Sequence, residues 1–65
     1  MTPAELGSVL RGHGALHRAM AAEISSGTVA GLDMLSETQK QSLLAVQLGL
    51  AESFESLAET LGTLS

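Results

Sequence analysis

The sequence predicts an all-α protein, an antiparallel hairpin of two helices, on three observations. Two capping-box patterns each precede a run of apolar residues with helical spacing. A glycine-containing segment without helical period separates the two runs. The chain has 65 residues, which is enough for one domain at most. We therefore expect a single small helical domain over residues 1–65.

The first helix is predicted over about residues 3–25. Thr2 stands before Pro3, and Glu5 follows three residues after Thr2, so the threonine hydroxyl and the glutamate carboxylate can cap the helix reciprocally. Glycines inside this segment cost up to about 1 kcal/mol each relative to alanine, so the helix needs a packing partner. Its apolar positions recur at helical spacing: Leu6, Val9, Leu10, Leu16, Met20 and Ile24.

Residues 26–36 are predicted to connect the helices. Gly27 suits the position just beyond a helix C-terminus, because glycine adopts left-handed backbone angles without steric cost. The segment also carries more apolar side chains than a solvated linker needs, so we expect it to pack: Val29, Leu32, Met34 and Leu35.

The second helix is predicted over about residues 37–63. Ser36 and Gln39 repeat the capping-box pattern, and Glu37 places a favourable negative charge in the first turn. The apolar residues then recur at spacings of three and four, which is typical of a coiled-coil-like seam: Leu43, Val46, Leu50, Phe54, Leu57, Leu61 and Leu64.

The register of the hairpin follows from where the chain reverses. A reversal near residue 31 pairs positions whose numbers sum to about 62, which sets His13 opposite Gly49. Gly12 and Gly14 flank His13, and small residues allow two backbones to approach closely. We therefore predict a close helix crossing at Gly12, His13, Gly14 and Gly49.

The two histidines, His13 and His17, are four residues apart and therefore share a helix face. A zinc site needs three or four ligands, and the chain contains no third histidine and no cysteine, so a carboxylate, for which Glu52 is best placed in the predicted hairpin, would have to complete one. We interpret both histidines as packing residues that can make an interface pH-sensitive, because histidine changes charge near neutral pH. No catalytic residue, metal ligand or cofactor site is predicted, and an enzyme is not expected.

Composition excludes several classes of function. The net charge is −4 with three basic residues, and Phe54 is the sole aromatic residue, so nucleic-acid binding is not expected. The chain has no cysteine and cannot form a disulfide. It has no apolar run long enough for a membrane span and no signal-peptide pattern. The expected locations are the cytoplasm, a virion, or the exterior after export without a cleaved signal.

Both predicted helices have apolar faces wider than a two-helix hairpin can cover, and such surplus usually means association. The function predicted from the sequence is a non-enzymatic structural subunit that self-associates, as part of a rod, ring, filament or particle. The alternative is a small acidic adaptor or inhibitor that binds one larger protein through its second helix. The predicted interface residues are Leu6, Leu10, Met20, Ile24, Leu43, Val46, Leu50, Phe54, Leu57 and Leu61.

Overall fold

The computed structural model describes residues 1–64 and confirms the predicted all-α hairpin. Helix α1 spans Pro3–Ser26 and helix α2 spans Glu37–Gly62. A single 3-10 turn, Leu32–Met34, lies between them. The helices pack antiparallel along their length into a rod of 45 × 17 × 15 Å. Within residues 1–64, neither helix combines the length and the hydropathy that crossing a membrane requires.

Both predicted capping boxes are present. The Glu5 amide donates to the Thr2 hydroxyl over 3.1 Å, and the Thr2 amide donates to the Glu5 carboxylate over 3.3 Å. The Gln39 amide donates to the Ser36 hydroxyl over 3.1 Å, and the Ser36 amide donates to the Gln39 side-chain oxygen over 2.9 Å. These side chains satisfy amides that have no partner inside the helix, and so they define where each helix begins.

The connection between the helices contains two left-handed glycines. Gly27 ends α1 with φ 76°, and its amide donates to the Ile24 carbonyl. Gly31 has φ 88° and precedes the 3-10 turn. Residues that carry a side chain rarely adopt these backbone angles, which is why both positions suit glycine. The packing of the loop is partial, because Leu32 and Leu35 are half-buried while Met34 is exposed.

The contact between the helices is made by residues at alternating spacings of three and four. The fully buried ones are small. A Cβ atom built on Gly14 would lie 3.4 Å from the Ala51 carbonyl oxygen, and one built on Gly7 would lie 3.6 Å from the Ala58 carbonyl oxygen. The contact positions, which we call the seam, are Gly7, Leu10, Gly14, His17, Ala21 and Ile24 of α1, and Leu44, Gln47, Ala51, Phe54, Ala58 and Leu61 of α2.

The observed register corrects the predicted crossing. Paired seam residues, such as Gly14 with Ala51, have numbers that sum to 65 rather than about 62. A Cβ atom on Gly12 or Gly49 would meet nothing within 4 Å, so neither glycine lies at the crossing. Of the predicted crossing residues, Gly14 lies at the closest approach. The difference arises because the chain reverses about one and a half residues later than residue 31, at the start of the 3-10 segment.

Large side chains do not form the core. Within residues 1–64, the buried hydrophobic residues are Ala21, Ala51 and Ala58, and none of the large side chains is fully buried. The chain exposes 4421 Å². A compact monomer of this mass exposes about 3,900 Å² by the usual scaling of surface with mass. The hairpin thus exposes more surface than that scaling gives, and eleven large hydrophobic residues are among those exposed within residues 1–64.

Candidate interaction surface

The two flanks of the seam differ in chemistry. Residues directly after seam positions lie on one flank of the hairpin, and residues directly before them lie on the other. In an antiparallel pair the like flanks of the two helices meet. The ion pair between Arg18 and Glu55 shows this pairing, because each follows a seam residue. Arg11 lies on the same flank, since its guanidinium would be 3.8 Å from a Cβ atom on Gly62.

The first flank, the charged side, is organised around one ion pair. Arg18 donates to both carboxylate oxygens of Glu55 over 2.6 Å each, a bidentate geometry. The hydrogen bonds from Arg18 hold the pKa of Glu55 below its ordinary value, and the same bonds raise the pKa of Arg18. Both side chains are nearly half exposed, so the pair adds little stability and chiefly favours the observed register. The charged side comprises Arg11, Arg18, Glu52, Glu55 and Glu59.

The opposite flank, the apolar side, carries large aliphatic residues from both helices. Leu43, Leu50 and Leu57 recur every seven residues along α2, each directly before a seam position, and Leu64 continues the spacing beyond the end of the helix. Seven residues of this side are between 39% and 69% exposed: Leu6, Val9, Leu16, Val46, Leu50, Leu57 and Leu64. The apolar side consists of these seven together with His13, Met20 and Leu43.

The structure divides the predicted interface residues into two groups. Four of them lie in the seam and are half-buried by the hairpin itself: Leu10, Ile24, Phe54 and Leu61. The other six lie on the apolar side: Leu6, Met20, Leu43, Val46, Leu50 and Leu57. The α2 residues predicted as one interface are therefore divided between the seam and the apolar side. Glycine and alanine take the innermost positions, and the leucines beside them remain outside the helix contact.

The histidines lie where the seam meets the apolar side. Both imidazole rings stack on Phe54, each with its centroid 5.4 Å from the phenyl centroid, and the interplanar angles are 29° for His13 and 8° for His17. His17 Nδ1 donates to the side-chain oxygen of Gln47 over 2.6 Å. His17 is half-buried in the seam, whereas His13 is exposed on the apolar side.

His17 lies in the contact between the helices, whereas His13 stacks on Phe54 and stays exposed. Within residues 1–64, no three histidine, cysteine, aspartate or glutamate side chains are grouped so that they could hold a metal ion. Gln47 occupies one nitrogen of His17, and Phe54 covers one face of each imidazole. The geometry supports hydrogen bonding and stacking, with one imidazole left facing water.

A depression of about 440 Å³ lies at the loop end of the hairpin. Ile24 and Leu44 line it together with Asp33, Glu37 and Lys40. Lys40 lies 3.5 Å from the Glu37 carboxylate, so part of its charge is already balanced within the depression. The surroundings are mixed in polarity and open to solvent.

Sequence reasoning missed five seam residues that are small or polar: Gly7, Ala21, Gln47, Ala51 and Ala58. A signal for most of them was present. Gly7, Gly14 and Ala21 recur every seven residues in α1, and Ala51 and Ala58 do so in α2. A repeat of small residues on both helices indicates closely approaching backbones, even though it carries little hydrophobicity.

Comparison with known proteins returns no significant match to a family model, a curated protein or a solved structure.

Proposed function

We propose that this chain is a non-enzymatic assembly subunit that self-associates through its apolar side. One observation carries the proposal: seven large aliphatic side chains, each 39–69% exposed, align on one side of the hairpin. Scattered exposed leucines are normal on protein surfaces, but a contiguous strip rimmed by polar residues usually marks an interaction site.

The area of the apolar side supports a stable contact. Seven side chains that keep roughly half of their surface leave on the order of 600 Å² of apolar area per copy. Two copies packed face to face would cover on the order of 1,200 Å², at the lower end of specific protein interfaces. His13, Met20 and Leu43 add to that area. Self-association would thus supply the large buried side chains that the hairpin core lacks.

The distribution of charge favours a second copy as the occupant. The ten residues of the apolar side include no aspartate, glutamate, lysine or arginine, and Glu23, the one charged residue directly before a seam position, lies at the loop end of the flank. Two identical surfaces can therefore meet along the apolar side without repulsion between its own residues. The net charge of −4 is carried by residues outside this surface, and it keeps other faces solvated. A two-fold arrangement would bring the same residues of both copies together, as most homodimers do.

The charged side gives weaker support to an acidic adaptor that binds a basic partner. Glu55 is engaged by Arg18 in a bidentate pair, and Arg11 lies on the same side. The carboxylates of α2 are therefore partly neutralised within the chain. This balance favours self-association over recognition of a basic groove.

Sedimentation velocity over a hundredfold range of concentration tests the proposal. The wild-type protein is expected to increase in mass with concentration, and Leu57→Glu to remain a single hairpin, because the substitution places a charge in the contact. Ser56→Glu is the matched control, since it makes a similar charge change at the neighbouring exposed position and should associate like the wild type. A wild-type protein that stays monomeric throughout would overturn the proposal and favour the adaptor.

A further inference from the structure

His13 is the one titratable side chain among the ten residues of the apolar side. On α1 it stands between Val9 and Leu16, one turn away in either direction. From α2, Phe54 stacks on the imidazole ring of His13, and the leucines of the apolar side lie on the same flank as His13. A group that changes charge thus lies near the middle of the surface with which the chain is proposed to meet its copies.

We propose that His13 makes self-association pH-dependent: copies associate when its imidazole is neutral and separate when it is protonated. This inference rests on the proposed function, because it concerns the same surface. His17 does not control association in this way, because it lies in the seam and already donates to Gln47 within one hairpin.

The charged groups near His13 do not neutralise an added proton inside a contact. On α1 these groups are Arg11, Arg18 and the titratable His17, which add positive charge. On α2 they are Glu52 and Glu55; both lie on the charged side, and Glu55 is paired with Arg18. Glu23, at the loop end of the same flank of α1, is ten residues away, about 15 Å along the helix.

A single hairpin tolerates protonated His13, whereas an assembly does not. In the single hairpin the ring is exposed to water and stacks on Phe54, which can accept a cation on its face. In the assembly the second copy would cover the ring and bring its own His13 to the same surface. Two protonated imidazoles would then lose their hydration and repel each other.

Proton linkage gives the direction of the effect. If each copy must release one proton to associate, a dimer releases two. Because protons are released on association, the association constant falls as the pH falls. The sign is fixed: acid favours separate hairpins, and neutral pH favours the assembly.

The test is sedimentation velocity at pH 7.5 and pH 5.5, with far-ultraviolet circular dichroism on the same samples. We expect the wild type to separate at pH 5.5 with its helical signal retained, and His13→Leu to stay associated at both pH values. His13→Lys, which keeps a positive charge at this position, should be separate at both. His17→Gln replaces the imidazole with an uncharged amide that can still donate a hydrogen bond at the seam position, and this variant should respond to pH like the wild type.

The outcomes distinguish this inference from the proposed function. A wild-type protein that associates equally at both pH values would overturn control of association by His13 and would leave the proposed self-association intact. Separation of the His13→Leu variant at pH 5.5 would also overturn control by His13. So would a loss of the wild type's helical signal in parallel with its separation. A wild type that is monomeric at pH 7.5 would overturn both.

Discussion

Replacement of Gly14 by glutamine should destabilise the protein, whereas the same replacement at Gly12 should stabilise it. Both glycines lie within α1, two residues apart, so the gain in helix propensity, about 0.5 kcal/mol, is the same for both. The effect on the unfolded chain is also shared and cancels in the comparison. Any difference between the two variants therefore reports the packing around each glycine.

The packing at the two positions differs sharply. A Cβ atom on Gly14 would lie 3.2 Å from Glu55 Cγ and 3.4 Å from the Ala51 carbonyl oxygen, whereas one on Gly12 meets nothing within 4 Å. Glu55 cannot retreat without weakening its bidentate pair with Arg18. Forcing atoms into a packed contact costs about 1–3 kcal/mol, and more when helices must separate. We expect the free energies of unfolding to differ by about 2 kcal/mol.

The assay is thermal unfolding followed by circular dichroism at one fixed protein concentration, because association also raises the melting temperature. For a domain of this size, a difference of about 2 kcal/mol separates the melting temperatures by roughly 8–16 °C. Gly12→Gln should melt above the wild type and Gly14→Gln below it. Equal melting temperatures, or a higher one for Gly14→Gln, would refute the close approach of the backbones at this position.

Three further predictions concern the Ser36 cap, the ion pair of the charged side and Gly49. Ser36→Ala removes the acceptor at the start of α2 and should cost about 1 kcal/mol of stability, whereas Ser42→Ala, inside the helix, should not destabilise; urea unfolding measures both. Because Arg18 lowers the pKa of Glu55, the stabilisation from this pair is present above the ordinary glutamate pKa and is lost as the pH falls through the lowered value. The stability difference between wild type and Glu55→Gln should therefore shrink on acidification, and a constant difference would contradict the pairing. Gly49→Ala should stabilise the protein by up to about 1 kcal/mol, because its Cβ atom meets open space; a loss of stability in the melt would place Gly49 in a contact.

The sequence predicted the helices well because the signals that define them are local. Thr2 and Ser36 each act within four residues of chain, and Gly27 ends α1 through its own backbone angles. The predicted helix limits, about 3–25 and 37–63, lie within one residue of the observed ones. The hairpin then follows from a connection too short for any distant arrangement.

The register could not be read from hydrophobicity, because α2 carries two repeats with the same spacing. Leu43, Leu50 and Leu57 recur every seven residues, and so do the seam residues Leu44, Ala51 and Ala58. The leucine repeat is the more hydrophobic, yet the small-residue repeat faces α1. This choice depends on the glycines and alanine across the contact, which make close approach possible, and that is a property of both helices together.

Intermolecular contacts between methyl groups test self-association through the apolar side most directly. In a sample mixed from ¹³C-labelled and unlabelled protein at pH 7.5, an isotope-filtered nuclear Overhauser experiment detects protons of one copy within about 5 Å of another. We predict cross-peaks from the methyl groups of Val46, Leu50 and Leu57, and none from Leu48, which lies on the opposite flank. Cross-peaks from Leu48 alone, or no intermolecular cross-peaks at all, would contradict the account.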